Sequence, residues 1–528
     1  KFRMDGFFDH ILIDESQDTN YRQWNIIKAL SEDFFVGKSA IEKNRTIFII
    51  GDDKQSIYSF QGSTPNISHE IYNFYQEKIA QTHYKLHKID LQNSFRSLEC
   101  ILENIDLVFE KIESFKKLDY QAHNAIRQGY GLVEIWPQIK SKKEKNEQDF
   151  LWKNEILDKN FKDEEFCQKE LLAEIITYKI EQWIQEKRVL EGLNRQINYG
   201  DIMILLRNRT NGFDKILQKF LQEKSIPFRG AKRIKFSEEI IIQDLLTLAK
   251  FAALPYDDLN LACLLISPIF AISQDDLLRF CLIKNEKEIS LYDVVRLEIK
   301  GLDNIIKIKN TNCYEFFSTL IDFKLKEKFV AEFGDKALQI LDQFMIVVSG
   351  FCKNNLPNLQ EFLDFVEKLD PEISLKNEDE DSVLITTIHS AKGLQAPIVM
   401  LPDCSFSFAK MPMNKENLFF AQFENFELPI WLVKKDEMSD FIKSQKIQEL
   451  KAEYYRLFYV AMTRAENELY ISAFGNETSA ENWYEIAKNS IENNAKKIDL
   501  QEFFGNNYEF FNKKLENFEI DNRILRKG

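Results

Sequence analysis

Two short apolar runs near the start of the sequence each end in polar side chains that suit phosphate chemistry. The run FFDHILID ends at Asp14 and is followed by Glu15, and the run TIFIIGD ends at Asp52, with Gln55 close behind. An apolar run of four or five residues that stops at charge is typical of a strand buried on both faces of a sheet. Ligands bind at the carboxyl ends of parallel strands. We therefore predict two neighbouring parallel strands that bring these four side chains to one sheet edge.

The adjacent acids Asp14 and Glu15 suit the hydrolysis of a magnesium nucleotide. One carboxylate, Asp14, would hold Mg²⁺, and the other, Glu15, would orient the attacking water and take its proton. Gln55 would sense the γ-phosphate through hydrogen bonds. The alternative is that the acidic pair only caps the helix predicted for TNYRQWNIIKAL.

An aromatic pair follows the second run. Tyr58 and Phe60 are two residues apart in the stretch GDDKQSIYSFQGS. Flat aromatic rings of this kind stack on the bases of single-stranded nucleic acid. The alternative is that both rings belong to the hydrophobic core.

Five segments in order resemble a known family. IDESQDTN, GDDKQSIYSFQGS, LQNSFRS, TTIHSAKGLQAPIV and YYRLFYVAMTRA resemble motifs II to VI of the UvrD-like superfamily 1 DNA helicases, across roughly residues 8 to 475. Within that family, the chain looks most like the AddA-type helicase–nuclease subunits. This likeness is carried by the sequence SFQG and by the segments GAKRIKFSEEIIIQDLLTLAKF, LISPIFAISQDDL and KGLQAPIVMLPD. The resemblance implies an α/β fold of RecA-like P-loop NTPase motor domains, in which parallel sheets are flanked by helices, with an all-helical insertion.

The resemblance also divides the chain. Strands are predicted for GLVEIW and YGDIMILLR, and helical apolar spacing in IIIQDLLTLAKFAAL and DKALQILDQFMIVVSGF marks the insertion. The expected segments are 1–90, the rear part of motor domain 1A with motifs II and III; 91–235, the first part of motor domain 2A with motif IV; 236–380, the helical insertion 2B; 381–475, the second part of 2A with motifs V and VI; and 476–528, a charged helical tail.

The resemblance implies nucleotide contacts from the second motor domain. Arg96 on motif IV and Arg464 on motif VI would reach the γ-phosphate, since a guanidinium is always charged and its fork matches phosphate oxygens. Gln395 stands where the family usually has Glu, and its amide would bind the ribose more weakly. Taken alone, Arg96 is a surface arginine and Arg464 a favourable charge at the end of a helix predicted over Ile447–Ala465.

The resemblance implies DNA contacts as well. Thr387 and His389 are expected at a strand end where the family touches the DNA backbone, and Lys392 and Gly393 fall in the loop that follows. Arg456 lies eight residues before Arg464, a little over two helical turns, so both arginines are expected to approach the face between the two motor domains.

The family's first motif is a phosphate-cradling loop, G-x-x-x-x-G-K-[ST], and the sequence does not contain this pattern. Gly37-Lys38-Ser39 imitates its end, but position 32 is Glu and no strand is predicted before it. We therefore expect this motif to lie outside the chain or to be lost from its gene, and the chain to be inactive alone. AddA-type proteins also continue into a nuclease domain, and no nuclease site is recognised here.

Composition is consistent with these expectations and adds little. Seven cysteines without CxxC spacing suit a reducing cytoplasm, and no apolar stretch reaches the ~20 residues needed to span a bilayer, so no membrane partner is expected. The net charge of −14 argues mildly against nucleic-acid binding, although a narrow DNA groove is compatible with it. The charged run IKSKKEKNEQDF is interpreted as a solvated insertion, and the two histidines of HYKLH have no third metal ligand.

The sequence thus predicts an ATP-dependent 3′–5′ DNA helicase of double-strand break repair and recombination. ATP and Mg²⁺ are its expected cofactors, and single-stranded and duplex DNA its expected substrates. Its expected protein partners are an AddB-like polypeptide and a chain that supplies the phosphate-binding segment. The alternatives are a non-catalytic DNA-binding remnant and a structural subunit of a repair complex.

Overall fold

A computed structural model gives the fold in two compact units. One unit comprises residues 1–228 and 379–528, and the other comprises residues 229–378. The structure describes residues 8–32, 34–35, 45–63, 67–80, 85–142, 164–230, 232–375, 381–410, 418–423, 426–431, 437–521 and 523–528.

The strands are short, and most lie in the first unit. They are β1 His10–Ile13, β2 Thr46–Ile49, β3 Asn93–Ser94, β4 Asn124–Ala125, β5 Leu132–Ile135, β6 Lys140–Ser141, β7 Val189–Leu190, β8 Arg195–Gln196, β9 Ile202–Leu206, β10 Phe228–Arg229, β11 Lys232–Lys235, β12 Glu372–Leu375, β13 Val383–Thr387, β14 Ala396–Leu401, β15 Leu418–Phe423, β16 Phe426–Trp431, β17 Ala465–Ile471, β18 Lys496–Asp499, β19 Phe518–Glu519 and β20 Arg523–Lys527.

The helices of the first unit flank its strands, and those of the second unit form most of its mass. They are α1 Tyr21–Ser31, α2 Ile67–Ala80, α3 Glu99–Phe109, α4 Glu113–Lys116, α5 Glu164–Gln185, α6 Phe213–Glu223, α7 Ile240–Ala253, α8 Asp258–Ile266, α9 Gln274–Lys287, α10 Leu291–Val295, α11 Leu302–Lys307, α12 Cys313–Leu320, α13 Lys326–Phe333, α14 Lys336–Asn354, α15 Leu359–Leu369, α16 Glu437–Met462, α17 Trp483–Ile491, α18 Leu500–Phe504 and α19 Tyr508–Leu515.

The first two apolar runs form a parallel pair, as predicted. β1 pairs with β2 in register from His10 opposite Thr46 to Ile13 opposite Ile49. The expectation that both faces of these strands are buried is wrong. Alternate residues pack against a core built from α1 and α2, whereas Leu12 and Phe48 on the other face are 73% and 53% exposed. The described residues therefore cover only one face of this sheet.

The main sheet of the first unit has eight strands in the order β10-β13-β9-β14-β17-β5-β20-β18. β13, β9, β14, β17 and β5 run parallel to one another. Along β14, Val399 and Leu401 join a core with α3, α16 and α17, and Ile398 and Met400 join a second core with α5, α6, α18 and α19. A parallel sheet covered by helices on both faces is the predicted α/β architecture.

The last fifty residues contribute to this sheet, although they were expected to be a helical tail. β20 pairs antiparallel with β5, and β18 pairs antiparallel with β20. Phe503, Phe504 and Phe511 are buried against the sheet, whereas Phe510 is 53% exposed. Ile524 and Leu525 are two adjacent apolar residues between charged ones, which is too short a pattern to distinguish a strand from a helix.

The helix of the last motif also differs from its prediction. α16 begins at Glu437 and ends at Met462, whereas the sequence suggested an end at Ala465. The Thr463 hydroxyl and the Arg464 Nε both donate to the carbonyl oxygen of Val460. These side chains satisfy an acceptor that the helix leaves open at its C-terminus, and β17 begins at Ala465.

The second unit is mainly helical, as its apolar spacing predicts. Its core contains the aromatic side chains of Phe316, Phe317, Phe344 and Phe362. The antiparallel pair of β11 and β12 joins the two ends of this unit, so it is not entirely helical.

Several sequence features fall on residues outside the described ranges. They are Gly37-Lys38-Ser39, His83 of HYKLH, and the charged run from residue 143 onward. Within the ranges given above, no helix combines the length and apolarity needed to cross a membrane, and no cluster of three or more metal-ligating side chains occurs.

Candidate functional site

The ends of β1 and β2 are held together by backbone hydrogen bonds. Ser16 N donates to Ile50 O at 2.9 Å, and Ile50 N donates to Ile13 O at 2.9 Å. Gly51 is required at this crossing, because a Cβ there would lie 2.1 Å from Ser16 Oγ. The two polar segments that follow the strands are therefore adjacent.

A buried glutamine links the two segments. Gln17 is fully buried; its Oε1 accepts from Asp52 N at 3.0 Å, and its Nε2 donates to Glu15 Oε2. Glu15 itself has a φ of 49°, in the left-handed region that non-glycine residues rarely adopt. Sequence reasoning missed Gln17, which lies two positions after Glu15 in IDESQDTN.

The acidic pair does not cap α1. Asn20 is the N-cap of this helix, and it exchanges side-chain and backbone hydrogen bonds with Gln23 in a capping box. Asp14 and Glu15 are both exposed, and Asp14 Oδ1 accepts from Glu15 N at 2.8 Å. An exposed carboxylate beside a second acid fits the oxygen ligands that Mg²⁺ prefers.

The predicted sensor Gln55 lies between the two parts of the site. Its Nε2 donates to Asp52 Oδ2 at 3.0 Å, and its Oε1 accepts from an Arg464 guanidinium nitrogen at 3.3 Å. The segment after β2 is thus in direct contact with the end of α16.

Arg464 is held in place from several sides. Its guanidinium donates to Val460 O at 3.0 Å and to Leu394 O at 3.2 Å, and the residue is only 1% exposed. Burial, together with the positive charge of Arg96, lowers the pKa of Arg464 to about 10. Two positive charges held near each other favour the binding of an anion close by.

Arg96 and Gln395 are brought together, because Arg96 Nε donates to Gln395 Oε1 at 2.6 Å. The backbone of Arg96 is fixed by Arg127, a residue that sequence reasoning did not identify. Arg127 donates to Arg96 O at 2.9 Å, to Glu466 Oε2 at 3.0 Å and to Asn467 Oδ1 at 3.0 Å.

Lys392 connects the loop after β13 to the acidic segment. Its Nζ contacts the Asp18 carboxylate at 2.7 and 2.5 Å and Gln55 O at 2.9 Å, and it lies 3.7 Å from Glu15 Oε2. Burial raises the pKa of Asp18, and Lys392 opposes that shift. The sequence placed Lys392 in this loop but gave no sign of its partner Asp18.

α16 makes two further contacts with the segment after β2. Arg456 Nε donates to Ser56 O at 2.6 Å. Glu453 accepts from Ser59 N at 3.0 Å and also from the Ser59 hydroxyl. The prediction that Arg456 and Arg464 approach the same face is confirmed by these contacts.

The candidate DNA contacts form an aromatic cluster. The Tyr58 and Phe60 ring centroids lie 6.0 and 5.8 Å from that of His389, and Tyr58 OH donates to His389 O at 3.0 Å. Phe60 is 70% exposed, whereas Tyr58 is half-buried against the core. Burial lowers the pKa of His389, which favours the neutral form of the ring.

Thr387 lies at the end of β13, next to this cluster. Its hydroxyl donates to Ser390 Oγ at 3.0 Å. Contacts join nine of the ten candidate site residues in pairs or small groups: Asp14 with Glu15, Gln55 with Arg464, Arg96 with Gln395, and Tyr58 and Phe60 with His389. The tenth, Thr387, lies two residues before His389 in the chain.

A parallel sheet with acids at its strand ends, met by arginines that lie beside a second sheet of the same unit, is the arrangement of a RecA-like motor. Comparison with known families agrees with this class. Residues 3–78 match the UvrD/REP helicase N-terminal domain, and residues 305–476 match the UvrD-like helicase C-terminal domain. These two segments of the chain thus match UvrD-like helicase domains.

Similar curated proteins are named as the A-type subunits of an ATP-dependent helicase/nuclease. The one from Listeria innocua serovar 6a is 26% identical over 91% of this chain and 40% of its own length. Those from Clostridium botulinum and Anoxybacillus flavithermus are 28% and 26% identical, over 91% and 92% of this chain and 41% of their own lengths. The chain thus spans about two fifths of the length of these relatives.

Proposed function

We propose that this chain is the motor part of an ATP-dependent DNA helicase of the AddA type. The observation that carries the proposal is the meeting of Glu15, Gln55, Lys392 and Arg464, through contacts of 3.3 Å between Arg464 and Gln55 and 3.7 Å between Lys392 and Glu15. These groups lie beside two separate sheets of the first unit, so a ligand bound among them would couple the two sheets.

In this proposal the phosphates of ATP lie beside the sheet ends. Asp14 would hold Mg²⁺, which neutralises the charge that develops on the transferring phosphoryl group. Glu15 orients the attacking water and accepts its proton, and Gln55 donates to the γ-phosphate. Arg96 and Arg464 face the same phosphate, whose negative charge would stabilise these two neighbouring cations.

Single-stranded DNA would lie across the aromatic cluster. Phe60 offers the most exposed ring for base stacking, and Thr387 offers a hydroxyl for the backbone. Tyr58 donates a hydrogen bond to the carbonyl oxygen of His389. Lys392, three residues after His389, donates to the carbonyl oxygen of Gln55. The same short loop therefore touches both the DNA surface and the nucleotide site, which suits a motor that moves DNA as ATP is hydrolysed. The expected polarity is 3′ to 5′.

The relatives' name describes one component of a helicase/nuclease. We propose that this chain likewise acts with an AddB-like partner in double-strand break repair and recombination, in the cytoplasm. A separate segment would supply the phosphate-binding loop. The apolar face of β1 and β2 that the described residues leave exposed, with Leu12 and Phe48 on it, is consistent with such a segment packing there.

A second candidate is a DNA-binding protein that does not hydrolyse ATP. It is favoured by one observation, namely that the sequence contains no G-x-x-x-x-G-K-[ST] pattern, because that loop supplies most of the phosphate contacts in this class of enzyme.

Strand separation distinguishes the two candidates. The chain would be mixed with a polypeptide that carries a phosphate-binding loop, and incubated with Mg²⁺-ATP and a duplex bearing either a 3′ or a 5′ single-stranded tail. Helicase function predicts unwinding of the 3′-tailed duplex by the wild-type chain and none by the Glu15→Gln variant. Tight DNA binding without ATP-dependent unwinding in any such mixture would support the second candidate.

A further inference from the structure

A pair of cysteines in the helical unit lies close enough to react. Cys313 Sγ and Cys352 Sγ are 3.0 Å apart, and both are free thiols. A disulfide bond is about 2.05 Å long, so bond formation requires a further approach of about 1 Å. The two residues are distant in sequence, so their proximity is a property of the folded unit.

The surrounding structure holds the two thiols against each other. Cys313 is the first residue of α12, whose N-cap Asn312 accepts from Glu315 N, and Cys313 N donates to Pro357 O at 2.7 Å. Cys352 lies in the last turns of α14. The two helices also pack through Phe317 and Phe344, whose ring centroids are 4.9 Å apart.

The two thiols differ in access to solvent. Cys313 is fully buried, whereas Cys352 is only partly buried. Burial, followed by the contact with Cys352, raises the pKa of the Cys313 thiol to about 12. Because oxidants attack accessible thiolates first, Cys352 is the thiol that meets an oxidant and Cys313 is the thiol that resolves it.

We propose that Cys313 and Cys352 are a redox modification site that hydroperoxides convert to a disulfide joining α12 to α14. The Cys352 thiolate attacks one peroxide oxygen, the O–O bond breaks, and Cys352 becomes a sulfenic acid as hydroxide leaves. Cys313 then gives up its proton and attacks Cys352 Sγ, the S–O bond breaks, and a second hydroxide leaves. The two thiols are oxidised by two electrons, hydrogen peroxide is reduced to two waters, and a dithiol reductant reverses the change.

The test is made on the whole 528-residue chain. The folded protein is treated with hydrogen peroxide, its remaining thiols are alkylated under denaturing conditions, and its peptides are analysed by mass spectrometry. We expect Cys313 and Cys352 to disappear together from the alkylated pool, a peptide pair joined through these two residues to appear, and dithiothreitol to restore both. Continued alkylation of both thiols, at peroxide levels that oxidise the exposed Cys263, would overturn the proposal.

Variants separate the two roles. In Cys313→Ser, the sulfenic acid on Cys352 should persist and react with dimedone, and no cross-link should form. The matched control Cys263→Ser removes an exposed thiol of the same unit and should leave the cross-link unchanged. The proposal would also be overturned if Cys352 were lost as fast in wild type as in Cys313→Ser but were recovered as sulfinic acid, without the cross-linked peptide.

Discussion

Replacing Phe60 with alanine should weaken DNA binding without weakening the fold. The ring is 70% exposed, and its described aromatic neighbours are Tyr58 and His389, at centroid distances of 5.8 Å each. An exposed substitution of this kind changes the free energy of unfolding by about 0.5 kcal/mol or less. A lost base stack is worth about 1–3 kcal/mol, which corresponds to a Kd for single-stranded DNA raised about 5- to 150-fold.

Tyr58→Ala should behave differently, because this ring has two roles. Tyr58 packs against the core and donates a hydrogen bond of 3.0 Å to His389 O. Its removal should lower the free energy of unfolding by about 1–3 kcal/mol, in addition to any loss of DNA affinity.

The assays are fluorescence anisotropy with a labelled single-stranded oligonucleotide and urea unfolding of the same samples. Phe510→Ala is a matched control, because that phenylalanine is also exposed, at 53%, but lies outside the aromatic cluster. The stacking role of Phe60 would be refuted if Phe60→Ala lowered the unfolding midpoint and left the Kd unchanged, or if Phe510→Ala weakened DNA binding as much.

Three further predictions concern two acids and a partly buried arginine. With a phosphate-binding segment supplied, Glu15→Gln should slow ATP hydrolysis by about 10²–10⁴-fold and leave nucleotide affinity unchanged; unaltered turnover would place the general base elsewhere. Arg127→Ala removes hydrogen bonds to Arg96 O and two side chains, and it should lower the free energy of unfolding in urea by about 1–3 kcal/mol. Arg523→Ala, on an exposed ion pair, should lower it less; equal losses would contradict this role for Arg127. Burial raises the pKa of Asp244 from 3.8 to about 6. At pH values between these two, the carboxyl is therefore protonated in the folded protein and ionised in the unfolded chain. The unfolding free energy of wild type, relative to Asp244→Asn, should therefore rise as the pH falls from 7 to about 4; a difference that does not vary with pH would contradict the assignment.

The sequence predicted the parallel pair β1 and β2 and the positions of the acids behind them, because short apolar runs that stop at charge are a strong local signal. It did not predict that Leu12 and Phe48 are exposed, since burial depends on which elements cover a face. The end of α16 at Met462 was missed because the residues after it are also compatible with a helix, and only the bonds to Val460 O mark the end.

The site shows the same division between local and long-range information. Motif order predicted which loops carry Arg96, His389 and Arg464. The partners of these loops come from residues hundreds of positions away, as with Lys392 and Asp18, or with Arg127 and Glu466. Pairings of this kind depend on the folded chain, and no spacing rule within a single sequence reveals them.

We propose above that the site built around Glu15 and Arg464 belongs to an ATP-driven motor whose phosphate-binding loop is not among these 528 residues. The most decisive experiment is steady-state ATP hydrolysis with Mg²⁺, with and without single-stranded DNA, by the purified chain alone and mixed with a loop-bearing polypeptide. We expect DNA-stimulated hydrolysis only in the mixture, and its loss in Glu15→Gln. Robust hydrolysis by the wild-type chain alone that Glu15→Gln abolishes would contradict this proposal.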